Sequence, residues 1–195
     1  MSEIRELSRL ISRYNRTNPP TPISQYHSTR LNLKPHYIYL MKWVPSNLAT
    51  DNKILEVGCG TGLFGYWLNR HGYKDYVGVD IRPELIDIAK QHVSLDYRVM
   101  DGRNLDFEDK SFDFVGIINT FFNNPERNYE AETFLDEAIR VSRRWIEFDT
   151  AYARDGWGAP TFRQVREWLE QRGIEDNLIV EERLTGNHRI WIVKL

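Results

Sequence analysis

Twelve residues, Ile54 to Gly65 (ILEVGCGTGLFG), contain four glycines in two overlapping spacings. From Gly58 they read G-x-G-x-G (Gly58, Gly60, Gly62). From Gly60 they read G-x-G-x-x-G (Gly60, Gly62, Gly65), the spacing of a dinucleotide fingerprint. A glycine loop between a strand and a helix offers backbone N–H groups and a positive helix end to a ligand. Glycine is needed there because a Cβ blocks either the ligand's approach or a positive φ. The loop therefore points to a nucleotide-type ligand, but leaves open whether a hydride or a methyl group moves.

Three features separate these readings. The glycine directly after the strand is Gly58, and the series Gly58, Gly60, Leu63 fails the third-glycine requirement of the dinucleotide pattern. Gly65 then falls inside the helix, where it is expected to ease helix–sheet packing. Glu56, two residues before Gly58, would repel a pyrophosphate and attract an ammonium or sulfonium. Asp101 follows the third strand, where it can accept from an exocyclic amine. Asp80, ending VGVD, suits ribose hydroxyls in either case.

At these residues the chain resembles the class I S-adenosylmethionine-dependent methyltransferases. LEVGCGTG is similar to that family's first motif, VGVD to its second, MDGR to its third and FDFVGIIN to its fourth, and the likeness runs from about Asp51 to Leu195. The resemblance implies S-adenosyl-L-methionine as cofactor and S-adenosyl-L-homocysteine as product. It implies that Gly58, Gly60 and Gly62 wrap the methionine moiety, with Cys59 and Thr61 filling the loop and Glu56 at the ammonium. Asp80, followed by Ile81, would take the ribose. Asp101, Gly102 and Arg103 would edge the adenine, and Asn119 would end the fourth motif.

Ligands of such folds sit beyond the carboxyl ends of the strands, so NTFFNN, Asn119 to Asn124, is expected on the acceptor side. Asn119-Thr120-Phe121-Phe122 faintly echoes the Asn-Pro-Pro-Tyr/Phe signature of amino-group methyltransferases, but both prolines are missing. His27, His36 and Asn119 are the candidate catalytic residues; a hydroxyl nucleophile needs a base, and either histidine could serve. The loop TAYARDGWGAP, Thr150 to Pro160, is expected to form another pocket wall. The expected acceptor is a small molecule, methylated at oxygen or nitrogen, because 195 residues leave little beyond a catalytic core. The alternatives are nucleic-acid methylation, a non-catalytic partner subunit that binds the cofactor, and an NAD-binding oxidoreductase. Neither the acceptor nor the oligomeric state is encoded visibly.

The elements that must position these residues follow from periodicity. From residue 51, apolar strands alternate with helical stretches, which means a mostly parallel sheet covered on both faces. The expected class is a doubly wound α/β fold with seven strands, closed by an antiparallel hairpin across Thr185-Gly186-Asn187. Residues 51–195 form this domain. Residues 1–50 form a helical arm or lid belonging to it: an amphipathic helix on Ile4, Leu7, Ile11 and Tyr14, a linker at Asn15 to Ser24 with three prolines, and a second helix over Leu31 to Val44 interrupted near Pro35. The arm carries seven basic against two acidic residues, a net +5, over a body of net −7. The single cysteine excludes a disulfide framework and a cysteine-rich zinc site, so no metal is expected. No apolar run approaches membrane-spanning length, and arginines fill the opening stretch. The expected location is the cytoplasm, with no membrane partner and nucleic acid not favoured.

Overall fold

A computed structural model describes residues 35–118, 120, 131–151, 162–185 and 188–195. The chain runs through α1 (Pro35–Asn47), β1 (Ile54–Val57), α2 (Leu63–Arg70), β2 (Tyr76–Asp80), α3 (Pro83–His92), β3 (Asp96–Val99) and β4 (Phe112–Ile117). It continues through α4 (Ala131–Val141), β5 (Ser142–Ala151), α5 (Phe162–Gln171), β6 (Leu178–Thr185) and β7 (His188–Lys194). The seven strands lie in one sheet in the order β3-β2-β1-β4-β5-β7-β6. The first five run parallel, and β7 pairs antiparallel with both β5 and β6. The seven-stranded mixed sheet and closing hairpin agree with the sequence expectation.

The central strands are apolar on both sides because both sides are covered. Leu55, Val57, Val115, Ile117, Ile146 and Phe148 meet α4 and α5 on one face. Ile54, Tyr76, Phe114, Trp145, Ile190 and Ile192 meet α1, α2 and α3 on the other. Trp145, Trp168 and Trp191 are buried, as their positions predict. Gly65 does ease packing: a Cβ there would lie 2.7 Å from the Tyr76 ring and from the Tyr97 hydroxyl.

Of the second expected helix, the described part is α1, which runs past Val44 to Asn47; residues 31–34 lie outside the described residues. Pro45 sits in the last turn, where Ser46 Oγ donates to the Lys42 carbonyl (3.1 Å) and Asn47 Nδ2 to that of Trp43 (2.8 Å). Leu40, Trp43 and Val44 are buried, with the Trp43 ring 5.3 Å from Trp145 and 5.9 Å from Phe114. The end of the arm is thus part of the core. The first helix, the linker and His27 lie outside the described residues. So do Asn119, Phe121 and Phe122, and the Thr150–Pro160 loop beyond residue 151.

Strand order reverses between β1 and β4. β1 is followed by β2 on one side, while β4 pairs with it on the other. In open parallel sheets this switch point opens a crevice at the carboxyl ends of the strands.

Candidate active site

The glycine loop leaves β1 at that crevice. The Gly58 and Cys59 N–H groups donate to the Val79 carbonyl at 2.8 and 2.9 Å, folding the loop back over the end of β2. Gly58 has φ +78°, and a Cβ there would stand 2.1 Å from Thr120 Oγ1. The Thr120 hydroxyl in turn donates to the Val57 carbonyl at 3.0 Å, so the loops after β1 and β4 lock together. Gly62, at φ +77°, caps α2 with no side-chain hydrogen bond. At Gly60 a Cβ would meet nothing within 4 Å, so this part of the loop borders open space.

Asp80 ends β2 with 5% exposure. Its Oδ2 accepts from the Gly60 N–H (3.0 Å), and its Oδ1 from the Arg82 N–H (3.0 Å) and Arg82 Nε (3.3 Å). It therefore braces the glycine loop from below as well as facing the crevice. Ile81 beside it is half exposed, at 50%, an apolar shelf at the ligand end of β2. The Met100 N–H donates to the Asp80 carbonyl (3.0 Å), which brings Asp101 just beyond the end of β3. The Asp101 carboxylate holds the Arg103 guanidinium through both oxygens. Gly102 is buried where a Cβ would strike Phe134 at 2.4 Å and Val57 at 2.5 Å.

Glu56 is the least expected in its environment. It is 0% exposed, on a central strand. Tyr76 reaches across Gly78 to donate its hydroxyl to Glu56 Oε2 at 2.5 Å. Glu56 Oε1 has no hydrogen-bond partner among the described residues. Burial, aided by the Asp80 charge and opposed by the Tyr76 hydrogen bond, pushes this carboxyl up to about 8. A buried carboxyl with an unused acceptor atom, under a glycine loop, is suited to an ammonium ligand and would repel a phosphate. The cofactor implied by the motifs fits this chemistry: its amino-acid end suits Glu56 and the loop, its ribose Asp80, and its base Ile81 to Gly102.

A family model described as a methyltransferase domain matches residues 54–144, from β1 to the start of β5. It covers the loop, Asp80 and Asp101 together, in the strand order that places them on one edge. Residues 54–144 are thus similar to a methyltransferase domain, as the motifs imply. The solved magnesium protoporphyrin IX methyltransferase of Synechocystis PCC 6803, crystallised with S-adenosylmethionine, superposes with TM-score 0.69 at 16% identity, over 82% of this chain and 77% of that one. Ribosomal protein L11 methyltransferase of Cupriavidus taiwanensis is 27% identical over 111 residues, 54% of this chain and 35% of that protein. Magnesium-protoporphyrin O-methyltransferase of Rhodobacter capsulatus is 42% identical over 59 residues, 30% of this chain and 25% of its own. The chain spans between 25% and 58% of the length of such curated relatives.

The methyltransferase motifs account for the described cofactor-side residues, but not for everything at this edge of the sheet. Glu147 and Asp149 are buried on β5, on the same face as Glu56. Sequence reasoning passed over them and over Tyr76. The available signal was the stretch W-I-E-F-D, in which two carboxylates two residues apart are set among bulky apolar neighbours and must share one face of the strand. His36 falls in the first turn of α1, its side chain outside the described set.

Proposed function

We propose that the protein is a methyltransferase that moves the methyl group of S-adenosylmethionine, by in-line displacement, to an oxygen or nitrogen of a small-molecule acceptor. The observation that carries this reading is the pairing of Glu56, buried with a spare acceptor atom, with the braced loop of Gly58, Gly60 and Gly62 above it. When bound, the cofactor supplies an electrophilic methyl. The chain's residues hold it: Glu56 neutralises its ammonium, Asp80 accepts from the ribose, and Ile81, Asp101 and Gly102 bound the base. Positioning the acceptor in line supplies much of the rate in such a reaction. A small-molecule acceptor is supported by the tetrapyrrole methyltransferase among the relatives. His27, His36 and Asn119 remain the candidates for handling a proton if the acceptor is a hydroxyl, with the arm of residues 1–50 as a lid and the cytoplasm as the setting. No helix among the described residues is long and apolar enough to cross a membrane.

Formation of S-adenosylhomocysteine is the test. The purified protein is given S-adenosylmethionine with a desalted metabolite extract, with RNA, or with DNA. Turnover with the metabolites alone is the expected outcome. Salt-sensitive turnover with nucleic acid alone would replace the acceptor class, and cofactor binding without turnover under any condition would make the chain a non-catalytic subunit.

A further inference from the structure

Resting on that reading, we propose that Glu147 on β5 seats a cationic amine, so that the acceptor is an alkylammonium compound methylated at nitrogen. The placement comes from strand register. Glu56 pairs with Gly116, and Gly116 pairs with Glu147, so the two glutamates lie in one row on one face with a glycine between them. Two strand spacings separate their backbones by about 9.6 Å. Glu147 is therefore as deep below the strand ends as the carboxyl assigned to the cofactor's ammonium, and it lies on the β4–β5 side of the crevice. Gly116 itself puts no side chain between them; a Cβ there would lie 3.1 Å from the Phe114 ring and 3.3 Å from Glu147 Oε2.

Glu147 is 0% exposed; neither of its carboxylate oxygens meets full hydrogen-bond geometry with a described residue, and the Ile117 backbone is the one group that favours its charge. A buried carboxyl so poorly satisfied costs stability unless a partner arrives, and a cation is the partner that repays a carboxylate best. The surroundings allow that charge only with a cation present. Asp149 lies two residues on, on the same face, and Glu56 across Gly116; burial and these two charges hold the Glu147 carboxyl well above the usual carboxylate range. Tyr37 of α1 lies near the same three carboxyls, whose charges add to burial in raising its hydroxyl well above the usual range, and Phe114, Trp145 and Ile192 pack in the same cluster. Two acids in an apolar setting suit an ammonium head on a hydrocarbon body, and disfavour an anion or a sugar.

The arrangement also disposes of a proton. An ammonium has no free lone pair, so it must first lose a proton, and the Glu147 carboxylate takes it. The freed nitrogen pair forms the N–C bond to the methyl carbon, while the pair of the breaking C–S bond remains on sulfur as a thioether. The product is the methylated ammonium, and Glu147 is left protonated.

The probes are n-hexylamine and its neutral isostere n-hexanol, titrated calorimetrically into protein saturated with S-adenosylhomocysteine. The wild type is expected to bind the amine at least tenfold more tightly than the alcohol. Glu147→Gln, which keeps the volume and removes the buried acid, should abolish that preference while leaving S-adenosylhomocysteine affinity within twofold and the melting temperature no lower. Gly116→Ala, which narrows the space beside Oε2, should weaken amine binding with the charge intact. Equal binding of amine and alcohol, or a preference that survives Glu147→Gln, overturns the amine seat. Failure of the wild type to bind S-adenosylhomocysteine at all would instead overturn the methyltransferase reading.

Discussion

If Glu56 receives the cofactor's ammonium, binding must expel a proton. In the free protein its carboxyl titrates at about 8 because it is buried beside Asp80. At pH 6.5 the side chain is therefore almost entirely neutral, while an α-amino group, with a pKa of about 8, is charged. Pairing requires the carboxylate, so close to one proton leaves per ligand bound. Ionising Glu56 at pH 6.5 costs about 1.5 pH units, roughly thirtyfold in apparent affinity or ~2 kcal/mol. Affinity should climb about tenfold per pH unit from 5.5 to 7.5, then flatten and fall as the ligand's own amine loses its charge. Calorimetry of S-adenosylhomocysteine binding at pH 6.5, in buffers of different ionisation enthalpy, counts the protons directly. Glu56→Gln should release none, lose the pH slope, and bind more weakly at pH 7.5 by the ~1.5–3 kcal/mol of a charge-assisted hydrogen bond. Wild-type binding with no proton release, or an unchanged slope in Glu56→Gln, would show that the ammonium lies elsewhere.

The same burial sets stability. Glu56 binds its proton more tightly folded than unfolded, so the ligand-free protein should lose melting temperature as pH rises from 5 to 8, and Glu56→Gln should flatten that decline in a thermal scan. Gly58→Ala combines a φ of +78° with a Cβ 2.1 Å from Thr120 Oγ1, and should reduce cofactor affinity by at least a hundredfold in equilibrium titration; near-normal binding would show that the loop does not need this contact. Trp43→Ala should cost ~3–5 kcal/mol in denaturant unfolding, because Trp43 packs on Trp145 and Phe114 in the core. A chain starting at residue 35 should accordingly fold, and one starting at residue 48 should not, as circular dichroism would report.

Much of this was legible from periodicity. Strands buried on both faces read as apolar runs, and the alternating glycines 58, 60 and 62 marked the loop because glycine has few reasons to cluster between a strand and a helix. Asp80 and Asp101 were visible as acids at strand ends, although the brace that Asp80 forms to the Gly60 N–H was not, since a loop's path over a neighbouring strand is a tertiary fact. Tyr76 read as one more buried aromatic; only the pairing of β1 with β2, which sets Glu56 opposite Gly78, lets its hydroxyl cross to the carboxyl. Glu147 joined Glu56 only through the registers of two strand pairs, which no local pattern specifies.

The central claim is that the loop after β1 holds S-adenosylmethionine and not a dinucleotide. One pair of titrations tests it: S-adenosylhomocysteine and NAD, each into the same ligand-free protein at pH 7.5. The account predicts saturable binding of S-adenosylhomocysteine, weakened at least tenfold by Asp80→Asn, and no heat with NAD. Saturable NAD binding with no response to S-adenosylhomocysteine would contradict it.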